Sequence, residues 1–252
     1  MSVFIAYRKE WLELIRNHRL LVVAIVLIFF GLTSPLLAKF TPEIITLIPG
    51  GEEISKIIPT PTVLDAIAQY VKNMSQFGII LALLLTMGAI AQEKDKGTAA
   101  MILVKPLPRG AFLTAKFAAL GTMFVVTLAA AGIACYYYTL LLFEPMNILH
   151  WLLLNLLLFV YVLVFVALTL FCSTVTKSQA AAGGVALGLM VILGLVGAIP
   201  GLGKYLPGEL ITWGTRLMQG DTTASWTALG ISAVLIIVPL LAAWLIFNRQ
   251  EL

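Results

Sequence analysis

Charge is scarce in this 252-residue sequence: Asp, Glu, Lys and Arg make up 11% of it, against about 25% in an ordinary soluble domain. None of those residues lies near the middle of a long apolar run. Proton- and ion-coupled transporters carry such residues inside the membrane as their relay. Their absence counts against a secondary transporter, with only a Na⁺ site built from backbone carbonyls left open. There is no H-E-x-x-H, no G-x-S-x-G, no pair of intramembrane aspartates and no Cys/His cluster, so no catalytic group is visible and the chain does not read as an enzyme. A Walker-type phosphate loop is missing too, so the energy for any work must come from a partner. The two cysteines, Cys135 and Cys172, fall inside apolar runs and read as small buried hydrophobes, silent about redox compartment. No cleavable signal peptide is evident, because residues 1–19 are charged and amphipathic. The net charge of +4 is small and points to no nucleic-acid partner.

What is abundant is apolar surface, at 61% of residues, in runs long enough to cross a hydrocarbon core about 30 Å thick. The first element, residues 4–18, is amphipathic. Phe4, Ile5, Tyr7, Trp11, Leu12, Leu14 and Ile15 fill one half of a helical wheel, while Lys9, Glu10, Glu13, Arg16 and Asn17 fill the other, with Arg8 the one misfit on the apolar side. This pattern predicts an interfacial helix in the headgroup plane, with Trp11 and the basic residues as anchors. His18, at its end, reads as an interface residue rather than a ligand.

Six spans follow: about 20–38, 62–92, 112–143, 149–172, 180–199 and 227–247. Residues 39–60 are punctuated by Pro42, Pro49, Gly50, Gly51 and Pro59, with a short surface helix expected from Thr41-Pro42-Glu43 onward. Lys116, near the start of the third span, is placed to snorkel to the interface. The fifth span is rich in small residues, and Gly184 with Gly188 gives the small-xxx-small spacing that lets helix backbones approach closely. Such a pair serves either as a packing seam or as a mobile interface. The fold class expected is therefore all-α: six transmembrane helices preceded by an interfacial helix. Residues 1–19 form the interfacial helix, 20–247 the membrane domain and 248–252 a tail, the first and last expected in the cytoplasm.

The longest charged interruption is Glu93 to Gly110, EKDKGTAAMILVKPLPRG. Gly97 ends the preceding helix, Thr98 can cap a short helix running to about Val104, and Pro106 with Pro108 stops it. Two turns bearing Met101, Ile102 and Leu103 are not stable alone in water. They need a surface, either the bilayer or a docking partner. Glu93 can pair with Lys96 or Arg109, cap a neighbouring helix, or stand as a solvated interfacial charge. With the amino terminus in the cytoplasm, the inside segments hold eleven Lys and Arg and the outside segments five. That asymmetry puts both termini and the 93–110 stretch in the cytoplasm.

Glu93, the Gly97-Thr98 pair, the apolar residues after it, Lys105-Pro106, Arg109 and Lys116 together resemble the permease family of type-2 ATP-binding-cassette exporters. There the second span ends in a glutamate followed by a Gly-Thr pair and an L-L-x-x-P-like run. The likeness extends to Tyr7-Arg8-Lys9-Glu10, the 173–179 loop, Leu206-Pro207 and the terminal Phe247-Asn248-Arg249, with Asn248 standing where a basic residue is common. The resemblance implies that residues 98–104 are a coupling helix seated in a separate ATPase. Glu93, Gly97, Thr98, Met101, Ile102, Leu103, Pro106 and Arg109 would form the coupling element. It implies two ATPase subunits and a second permease chain, identical or homologous, in the cytoplasmic membrane of a prokaryote. The chain itself would bind no cofactor and no metal, ATP and Mg²⁺ being held by the ATPase. The reading from a different class is a non-transporting membrane scaffold or sensor whose 93–110 loop recruits a cytoplasmic partner.

Overall fold

The computed structural model describes residues 3–50, 53, 59–95 and 108–249. Among these every regular element is helical: α1 (Val3–Arg16), α2 (Arg19–Thr46), α3 (Val63–Thr86), α4 (Ala91–Asp95), α5 (Arg109–Leu142), α6 (Ile148–Val175), α7 (Gln179–Ala198), a 3₁₀ turn (Gly203–Tyr205), α8 (Gly208–Met218) and α9 (Trp226–Arg249). Six stretches among the described residues have the length and apolarity to cross a bilayer: α2, α3 continued through α4, α5, α6, α7 and α9. The protein is an all-α membrane protein, as its apolar runs predict.

Two boundaries differ from the expectation. The surface helix expected from Pro42 is not separate, because α2 runs unbroken through Pro35 and Pro42 to Thr46. Hydroxyls of Thr33, Ser34 and Thr41 donate to the carbonyls of Phe29, Phe30 and Leu37 one turn back, the kind of local support that lets a membrane helix carry proline. The second span, expected as one helix, is interrupted between Thr86 and Ala91. His18 joins α1 to α2 with φ of 56°, a left-handed position that histidine tolerates better than most residues.

α5 and α6 carry the largest share of the core. α2 packs along α5 and α3, α6 contacts α3, α7, α8 and α9, and α1 lies on α5. α2 and α5 cross closely enough that a Cβ on Gly31 would lie 2.6 Å from the carbonyl oxygen of Ala131. Deeper in the core, the Tyr70 hydroxyl donates to Asn155 Oδ1 at 2.6 Å, and Asn155 Nδ2 donates to the Trp151 carbonyl. Gly132 makes room for this pair, since a Cβ there would lie 2.7 Å from Asn155 Oδ1. By contrast α7 buries only Ala182 and Ala186, and Val185, Leu187, Val191, Ile192 and Leu195 face outward. α8 is a short amphipathic helix that buries Leu210, Trp213 and Leu217 against α6.

Candidate functional site

One end of the bundle gathers the charges that the spans exclude. α1 turns Ala6, Glu10 and Leu14, spaced at i, i+4 and i+8, onto the bundle. Glu10 thus belongs to the polar half of the wheel yet faces protein. Its carboxylate meets the ammonium of Lys116 on α5 at 2.8 Å, and the same ammonium meets Glu93 of α4 at 2.8 Å. The Lys116 side chain is only 4% exposed, ending on carboxylates rather than in solvent, and Glu10 is 10% exposed. Lys9 completes the cluster from the more open side, 2.9 Å from Glu10, 3.5 Å from Glu13 and 3.9 Å from Glu93.

Electrostatics explain why the cluster holds. Burial disfavours the Glu10 carboxylate, but the charges and hydrogen bonds of Lys116 and Lys9 outweigh it and hold the carboxyl below its usual range. Burial also opposes the charge on Lys9, and Glu10 with Glu93 and Glu13 overcomes it, raising the lysine. The carboxylates of Glu10, Glu13 and Glu93 come within 4.8 Å of one another. The two lysines supply between them the positive charge that a metal would bring.

The interruption in the second span is bridged from α6. The Ser173 hydroxyl donates to the Met87 carbonyl at 2.9 Å and accepts the N–H groups of Ile90 and Ala91, each at 3.0 Å. One donor and two lone pairs are all used. Gly88 fits beside it because a side chain there would crowd Gln179, whose nearest atom stands 3.1 Å from the Cβ position. Six residues on, Lys94 donates to the carbonyls of Thr174 and Thr176 at the end of α6, where the helix leaves acceptors unpaired and its dipole favours a cation. Leaving a buried donor or acceptor unpaired costs about 1–3 kcal/mol, so Ser173→Ala is expected to lower stability by at least that amount. Amide exchange at Ile90 and Ala91 should quicken while Leu81 and Ala82 stay protected. Unchanged exchange at both amides would show that the hydroxyl does not hold the break.

Arg109, the first residue of α5, caps another helix in the same manner. Its Nη1 donates to the carbonyls of Phe247 at 2.6 Å and Asn248 at 3.1 Å, at the end of α9. Phe247 stacks on Phe112 at 5.7 Å between centroids and lies 5.8 Å under the guanidinium.

Of the residues singled out from sequence, Glu93 and Arg109 therefore flank the charged stretch and are each tied to a different part of the bundle. Gly97, Thr98, Met101, Ile102, Leu103 and Pro106 lie outside the described residues, as does Lys96, one of the partners considered for Glu93. Gly184 and Gly188 are on α7 with nothing within 4 Å of the Cβ position, so no other part of the described chain packs against them. Sequence reasoning did not foresee the roles of Glu10, Lys94 and Ser173, nor the partners of Lys116. The available signal was a lysine seven residues after the first residue of an apolar helix, together with a glutamate on the amphipathic α1 segment.

Comparison with known proteins covers the whole molecule. Residues 4–252 match the family described as ABC-2 family transporter protein. The chain is also 28% identical over 258 residues to the uncharacterized transmembrane protein YxlG of Bacillus subtilis (strain 168), an alignment spanning 100% of this chain and 99% of that protein.

Proposed function

Because the chain belongs to the ABC-2 family of transporter proteins, we propose that it is the permease subunit of an ATP-driven exporter and that residues 93–110 couple it to a separate ATPase. The observation that carries this reading is the anchorage of the stretch at both flanks. On entry, Glu93 is tied through Lys116 to α5 and to Glu10 of α1, and Lys94 is tied to the end of α6. On exit, Arg109 is tied to the end of α9. Displacement of the intervening residues would thus pull on four helices together, through charged contacts that are partly or wholly withdrawn from water.

In this reading ATP and Mg²⁺ are held by the ATPase, two copies of which serve two permease chains, and the catalytic groups lie outside this chain. α1 lies along the cytoplasmic face, residues 20–247 form the membrane domain, and 248–252 form a tail. The protein is a multi-pass component of a prokaryotic cytoplasmic membrane. The excess of Lys and Arg at the end bearing the 93–110 stretch supports placing that end and both termini in the cytoplasm.

Met101, Ile102 and Leu103 would be the apolar residues seated in the ATPase, each contributing about 1.5–3 kcal/mol if fully buried there. Ile102→Asp with Leu103→Asp is therefore expected to release the ATPase during purification while the membrane domain inserts and folds normally. Recovery of the ATPase at the wild-type ratio, with normal export, would remove residues 98–104 as the coupling element.

A further inference from the structure

At the end of the bundle remote from the charge cluster, a cleft of about 650 Å³ opens between α3, α6, α7 and α8, within the roughly 300–1,000 Å³ range of small-molecule sites. Its shape is set by backbone. Gly201 takes φ of +87°, and Gly203 sits so close to α7 that a Cβ would lie 2.6 Å from the Gly197 carbonyl oxygen. These two glycines fold the chain after α7 back over the cleft and into the 3₁₀ turn. The body of the cleft is apolar, formed by Phe165, Met190 and Leu193, whereas Tyr161, Lys204 and Thr212 bring polar groups to it.

The charge balance at the polar side is one-sided. Glu209 also lines the cleft, but its carboxylate is neutralised by Arg216 at 2.6 Å and accepts the Ser225 hydroxyl at 3.0 Å. Lys204 is exposed and makes no ion pair among the described residues. Its Nζ instead lies 5.0 Å from the centre of the Tyr205 ring. An ammonium without a counter-ion, beside an apolar trough flanking a membrane span, matches one kind of molecule.

We infer that the cleft bounded by α7 and the Gly201–Lys204 turn binds an amphiphile with an anionic head group, Lys204 meeting the head and Phe165, Met190 and Leu193 meeting the alkyl chain. Tyr161 and Thr212 line the same cleft and add hydroxyl groups to its polar character. The site is separate from the coupling stretch and does not depend on an ATPase. Such a molecule can come from the surrounding bilayer as a phospholipid or arrive as a free single-chain anion.

The full chain, reconstituted in nanodiscs of equal phosphatidylglycerol and phosphatidylcholine and then extracted in mild detergent, would be analysed for retained lipid by native mass spectrometry. Phosphatidylglycerol is expected to be enriched by roughly two- to fivefold, the factor that one exposed charge pair provides. Lys204→Glu should bring the retained ratio back to that of the bilayer. Gly194→Phe, at a lining position with nothing within 4 Å of its Cβ, should fill the trough and lower retention of both lipids without disturbing the fold. Adding dodecyl phosphate separates the sources: displacement shows that a single-chain anion suffices, and lack of displacement assigns the site to a two-chain lipid of the leaflet. Equal lipid ratios in wild type, Lys204→Glu and Gly194→Phe would overturn the assignment.

Discussion

Lys116→Met is expected to cost the folded chain about 3–5 kcal/mol, because it leaves two largely buried carboxylates with only the half-exposed Lys9 as counter-charge. Since a whole domain is stable by only about 5–15 kcal/mol, recovery of folded protein should drop sharply. Burial decides the size of this effect. An exposed ion pair contributes about 0–1 kcal/mol, but Lys116 is 4% exposed and bonds both Glu10 and Glu93 at 2.8 Å. The control follows from the same physics: with Glu10→Gln and Glu93→Gln added, the stranded charge disappears and most of the loss should be regained. Thermal unfolding in detergent measures both. A single variant that melts with wild type would mean that the cluster is solvated and contributes nothing to the junction of α1, α4 and α5.

Acid gives the cluster a second signature. The Glu10 carboxyl is held below its ordinary range in the folded state, so its contribution is fully present above the unfolded value of about 4.3 and fades as pH falls through the lower folded value. Wild type should therefore lose stability in that acid window, and the triple variant, lacking the carboxylate, should not show this component.

How much of this was readable beforehand depends on the range of the interaction. The six spans and the α1 helix follow from local pattern, and each was visible as an apolar run or an amphipathic wheel. Where local pattern misled, a contact from elsewhere had intervened. The second span reads as continuous helix through Met87 to Ala91, yet it breaks where Ser173, more than 80 residues later, supplies the hydrogen bonds that the helix forgoes. Glu93 and Lys116 were each singled out, but their pairing and the bridge to Glu10 were not. Periodicity tells which residues share a face, not which helix that face will meet.

The glycines show the same limit and set the sharpest contrast between two substitutions. Spacing in sequence draws attention to Gly184 and Gly188, four residues apart on α7. The backbone-to-backbone crossing is instead made by Gly31 against Ala131, a pairing across helices with no repeat to announce it. Gly31→Leu must force α2 from α5, since even its Cβ would meet a carbonyl oxygen at 2.6 Å and that atom cannot rotate away. Overpacking a core commonly costs about 1–3 kcal/mol and at times more. With backbone as the obstacle, Gly31→Leu is expected to reach or exceed about 3 kcal/mol and to abolish recovery of a folded monomer. Gly188→Leu enters open space within this chain and should leave monomer unfolding unchanged. Any loss it causes should appear only in complex recovery or turnover, through a second chain laid on α7, and should exceed that of Leu187→Ala. If Gly31→Leu folds like wild type, the α2–α5 crossing is wrong; if Gly188→Leu unfolds the monomer, α7 is covered by its own chain.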